Sequence, residues 1–145
     1  MSITGSNLTA DAVQAYLRSK REEEAAKQRA FEASVKAERD KVREAFQERE
    51  VQPEAMDRIA AVIRKSIDMG EKQALVLRFP SDWLPDQGRA ITNHDKNWHE
   101  KLDGFAKRAY DFYDQNLREQ GYRLRAQILE YPDGKPGDVG LFLSW

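Results

Sequence analysis

Tyr122-Arg123-Leu124-Arg125-Ala126-Gln127-Ile128-Leu129-Glu130-Tyr131, then Pro132-Asp133-Gly134-Lys135-Pro136-Gly137, then Asp138-Val139-Gly140-Leu141-Phe142-Leu143-Ser144-Trp145: these three consecutive pieces decide the fold. In the first, Tyr122, Leu124, Ala126 and Ile128 alternate with Arg123, Arg125, Gln127 and Leu129. Side chains of a strand point to opposite faces in turn, so this piece reads as a strand with one buried face and one partly polar face. The middle piece is dense in Pro, Gly and Asp, the residues that reverse a chain. The last piece places Val139, Leu141, Leu143 and Trp145 on one side. Two alternating segments joined by a turn predict an antiparallel hairpin.

Working back from the hairpin, residues 97–121 have the strongest helical periodicity in the chain. Trp98, Leu102, Phe105, Ala109, Phe112, Tyr113 and Leu117 make one apolar stripe, Asn97 and Glu100 have capping-box spacing, and Gly121 supplies a stop. Further back, Gln73 to Phe79 reads as a strand, with Leu75, Leu77 and Phe79 on one face and Ala74, Val76 and Arg78 on the other, ended by Pro80. A helix precedes it. Pro53 is suited to open that helix, Met56, Ile59, Ala60, Ile63 and Ile67 form its stripe, and Gly70 follows Met69 as its left-handed end.

The order α-β-α-β-β predicts an α+β domain over residues 53–145. Since a strand-helix-strand connection is normally a crossover, the expected sheet is three-stranded and mixed, with two helices on one face. Residues 1–52 have a different character. Thr9 is a plausible N-cap, Leu8 and Val13 have the spacing of a hydrophobic staple, and neither Pro nor Gly interrupts the chain from there to Glu50. This predicts a single long helix. Its apolar residues are few: Val13, Tyr16 and Leu17 near the start, then Phe31, Val35, Val42 and Phe46 along one narrow stripe. Arg18 to Arg29 has no large apolar residue and must stand in water, helped by pairs such as Glu23 with Lys27 and Glu32 with Lys36.

Composition agrees with such a division. Charged residues are 34% of the 145 and hydrophobic ones 40%, enough for a core but not for one that runs through every segment. The chain has no cysteine, which excludes disulfides, thiolate metal sites and a cysteine nucleophile. Ser2 to Asn7 has neither the basic region nor the apolar run of a leader, and no stretch approaches the length of a membrane span. The expectation is a soluble cytoplasmic protein.

Three functional readings arise, and the first leads. A narrow apolar stripe that the rest of the chain does not obviously cover points to a non-enzymatic assembly module. In this reading Phe31, Val35, Val42 and Phe46 meet another helix, either of a second copy or of a helical partner. The second reading is a nucleic-acid-binding module. It uses the polar sheet face, where Arg78, Arg123 and Arg125 surround Phe142 as cations and a stacking ring. Against it, 24 basic residues nearly cancel 25 acidic ones, so the chain has no global attraction to a polyanion. The third is an enzyme built on residues 81–97, a segment long for a loop, with Trp83, Arg89 and His94 as candidate contacts.

No catalytic set, metal site or cofactor is expected. Ser81, Asp82 and His94 lack the turn that presents a nucleophilic serine. His94 and His99 are not spaced to share a helical face, and the glycines at 134, 137 and 140 do not join a strand to a helix. Trp98 and Trp145 are placed in the core, and Trp83 as an exposed contact.

Overall fold

The computed structural model describes residues 3–6 and 8–145; Ser2 and Asn7, the ends of the segment that lacks leader character, lie outside the described residues. The chain divides into two compact units, Met1–Val42 and Arg43–Trp145. One helix, α1 (Ala10–Glu48), contributes to both. Thr9 caps it as expected, since the Ala12 amide donates to Thr9 Oγ1 at 3.1 Å. Among the expected ion pairs Glu23 with Lys27 forms, at 3.7 Å, whereas Glu32 accepts from Gln28 Nε2 rather than meeting Lys36. Over α1 no residue is fully buried.

In the second unit, α2 (Ala55–Asp68) ends at Met69, and Gly70 follows in the left-handed conformation (φ 77°). It leads to β1 (Gln73–Pro80). A 3-10 turn at Ser81–Trp83 and a short helix α3 (Arg89–Thr92) occupy the segment expected to be a loop. That segment is anchored, not free. Leu84 and Ile91 are core residues, and Asp86 accepts from the amides of Gly88 and Ala90, both at 3.0 Å. The third main helix starts later than the Asn97–Glu100 pair suggests. Trp98–Lys101 is a 3-10 turn, Leu102 is extended and buried, and α4 (Gly104–Asn116) is capped by Asp103. Then come β2 (Arg123–Ile128) and β3 (Asp138–Ser144).

The expected hairpin is present, for β2 and β3 pair antiparallel from Arg123↔Ser144 to Ile128↔Val139. The sheet is not mixed, however. Its order is β1-β3-β2, and β1 also pairs antiparallel with β3. The last strand inserts between the two earlier ones. β1 and β2 therefore run parallel without pairing, and every ladder is antiparallel.

A bulge in β1 changes which residues face inward. Leu75 pairs with Phe142 and Leu77 with Leu141, leaving Val76 as the extra residue between them. Ala74 is thus fully buried opposite Leu143 while Leu75 is 39% exposed, the reverse of strict alternation. The inner face, with Ala74, Phe79, Val139, Leu141 and Leu143, packs on α2, α4 and the 81–102 segment. Each large side chain buried there contributes about 1.5–3 kcal/mol. In α2 the facing residues are Ile59 and Ile63 with Ser66, whereas Met56 and Ile67, expected in its buried stripe, are 47% and 55% exposed. Trp145, expected in the core, is 48% exposed because pairing of β3 ends at Ser144.

Candidate functional site

The outer face of the sheet is built around Gly140. A β-carbon there would lie 2.8 Å from Leu129 Cδ2 and 3.0 Å from both Leu75 Cδ1 and Phe142 Cε2, so three apolar side chains close over the glycine. The arginines surround this small patch. Arg78 Nε donates to Asp138 Oδ2 at 2.7 Å and Nη2 to Glu130 Oε2 at 3.1 Å. The Asp138 hydrogen bond is the main reason that the Arg78 guanidinium is held above its ordinary pKa, with Glu130 adding to it. Arg125 donates to Gln73 Oε1 at 2.7 Å and lies over the Phe142 ring, 5.6 Å from its centroid. The Arg123 side chain is exposed and has no charged or hydrogen-bonded partner among the described residues.

The structure brings Arg125 and Phe142 together with the guanidinium over the ring, so each is occupied by the other. Two carboxylates engage Arg78. Sequence alternation had placed Val76 on this face; the bulge substitutes Leu75. In consequence, only Arg123 of the three arginines is at liberty to meet a phosphate without giving up an internal bond.

The association stripe of α1 divides. Phe31 and Val42 are 64% and 58% exposed, and Val35 is half-buried. Phe46, by contrast, belongs to the core of the second unit, with its ring centroid 4.9 Å from Trp83, 5.3 Å from Phe79 and 5.5 Å from Phe105. Trp83 is accordingly half-buried and not a free contact, and its carbonyl accepts from Gln47 Nε2 at 3.0 Å. Arg108 holds the end of the helix, donating to the carbonyls of Gln47 at 2.7 Å and Arg49 at 2.9 Å. These are backbone acceptors that a helix end leaves unpaired.

Ser81 is buried and its hydroxyl donates to the Pro136 carbonyl at 3.1 Å. His94 is exposed, and Arg89 is exposed without an acidic partner among the described residues. His99 stacks on Tyr110 with ring centroids 4.7 Å apart. Among the described residues no three side chains of His, Asp or Glu gather where they would hold a metal. No described helix is long and apolar enough to cross a membrane.

Sequence reading missed a cavity of ≈190 Å³ in the second unit, between α2, α4 and the inner face of the sheet. Ala55 and Ala109 line it. Ala109, a small residue within an otherwise bulky stripe, is the one sequence signal of a gap there. Comparison with known proteins yields no match for this chain, whether to a protein family, to a curated protein or to a solved structure.

Proposed function

We propose that the protein is a non-enzymatic assembly module that self-associates through α1, with the Arg43–Trp145 unit as its folded body. The observation that carries this reading is a helix of 39 residues without one fully buried side chain, on which Leu17, Phe31 and Val42 are 40%, 64% and 58% exposed. In proteins a helix derives most of its stability from tertiary packing of an apolar face, and on α1 the residues Phe31, Val35 and Val42 recur along one narrow stripe. A second copy is the occupant favoured by charge. Acidic and basic residues are interspersed along the helix from Arg18 to Glu44, so an identical helix offers both signs to both signs.

The nucleic-acid reading has less support, because Arg78 and Arg125 already have internal partners and the Phe142 ring is covered by Arg125. Sedimentation velocity on the full chain, from micromolar to millimolar concentration, tests the proposal. The sedimentation coefficient should rise with concentration for the natural sequence and stay constant for a Phe31→Glu, Val35→Glu double variant of unchanged circular dichroism at low concentration. A natural chain that stays monomeric throughout that range would end the self-association reading.

A further inference from the structure

The ≈190 Å³ cavity lies wholly within the Arg43–Trp145 unit and is unlike an ordinary packing defect. Its floor is buried and apolar: Leu117, Leu141 and Leu143 are at most 4% exposed. Tyr113 also lines it, but the phenol hydroxyl is spent on the Tyr122 carbonyl at 2.8 Å and offers the cavity nothing polar. The cavity opens to solvent on its arginine side, and an interior so lined favours an apolar guest; about 150 Å³ is already enough for benzene.

The rim is different. Arg49 and Arg58 are exposed residues that line the same cavity. Arg49 is positioned over the Phe105 ring, 4.5 Å from its centroid, which directs its cation toward the cavity wall. Neither arginine has an acidic partner among the described residues, whereas Arg78, Arg108 and Arg118 each do. An apolar interior beneath two guanidinium groups without acidic partners is complementary to an amphipathic anion.

We propose that this cavity binds a small amphipathic carboxylate, with its hydrocarbon part against Leu117, Leu141 and Leu143 and its carboxylate at Arg49 and Arg58. Guanidinium groups suit this head because their paired N–H donors match the two carboxylate oxygens. By volume, the hydrocarbon part is about one aromatic ring or a chain of roughly six to eight carbons. This inference does not depend on self-association through α1.

The test uses full-length protein and three probes of equal length: octanoate, 1-octanol and octylammonium. Binding is followed by titration calorimetry and by methyl chemical shifts. Octanoate should saturate, with shifts centred on Ile59, Leu117, Leu141 and Leu143, and bind at least tenfold more tightly than octylammonium. Arg49→Gln with Arg58→Gln should weaken octanoate about tenfold and leave 1-octanol unchanged. Both positions are exposed, and an unchanged urea midpoint for this variant shows that losing the Arg49–Phe105 contact leaves the core intact. Ala109→Phe, which fills the cavity, should abolish binding of octanoate and 1-octanol alike. The proposal is overturned if octanoate fails to saturate, if octylammonium binds as well, or if the double arginine variant binds octanoate as the natural sequence does. It is equally overturned if the methyl shifts grow with protein concentration in the absence of any probe, since the occupant would then be a side chain of a second copy.

Discussion

Single residues determine whether the end of α1 can seat. Gly104 opens α4 at φ 56°, and a β-carbon there would approach Gln47 Cα to 2.8 Å. Gly121 also has positive φ, at 96°, yet nothing lies within 4 Å of its would-be β-carbon. The comparison separates conformational strain from collision. Gly121→Ala should cost only the left-handed penalty, about 1–2 kcal/mol, whereas Gly104→Ala should cost roughly 2–4 kcal/mol because the backbone must also move. Urea midpoints measured side by side test this, and equal losses would show that Gln47 yields at no cost. Arg108 works at the same junction. Replacing it with Met leaves the Gln47 and Arg49 carbonyls without their donor and should destabilise by about 1–2 kcal/mol, a figure reduced for its partial exposure. Arg108→Lys should recover part of the loss, because one ammonium reaches at most one carbonyl well.

At the scale of elements, α1 is one helix with two environments. Its stripe reads uniformly in sequence, but Phe46 sits among Phe79, Trp83 and Phe105 while Phe31 stands in solvent. Phe46→Ala should therefore cost about 3–5 kcal/mol in unfolding of the Arg43–Trp145 unit. Phe31→Ala, measured in dilute protein, should leave that unfolding unchanged within about 0.5 kcal/mol. Comparable losses from both would mean that Phe31 is also buried in the monomer. Among the strands, β1 shows how one extra residue redistributes faces: the bulge at Val76 turns Leu75 out to Phe142 and Ala74 in to Leu143. Period-two reading of Gln73 to Phe79 holds for Leu77 and Phe79, which follow the bulge, and fails for the residues before it. No side-chain pattern announced the insertion.

For the whole molecule, the division at Val42 and Arg43 predicts unequal resistance to local opening. Residues 18–29 carry five trypsin-sensitive side chains, Arg18, Lys20, Arg21, Lys27 and Arg29, on a helical segment without buried contacts. The strands and helices of the second unit, by contrast, open only at a cost approaching the global stability. Limited trypsin treatment should cut first within 18–29 and leave a fragment containing 43–145. Mass spectrometry would identify the first cut, and an initial cleavage at Arg89 or Lys101 would contradict the prediction. Since self-association would cover α1, raising the protein concentration should slow that first cut relative to the total enzyme activity present.

The sequence by itself determined the elements that depend on local chemistry. The long capped helix, the helix ending at Gly70, the β2–β3 hairpin and the α+β class all follow from propensity, periodicity and turn residues acting over a few neighbours. Tertiary structure alone decided strand order, the bulge, the start of α4 and the burial of Phe46 and Trp83. It also decided that Arg78 and Arg125 are occupied and that a cavity remains below Arg49 and Arg58. Each of these depends on which distant segments meet. A residue's chain neighbours set the geometry it can adopt, but its exposure and charge partners are fixed only when separated segments compete for the same space.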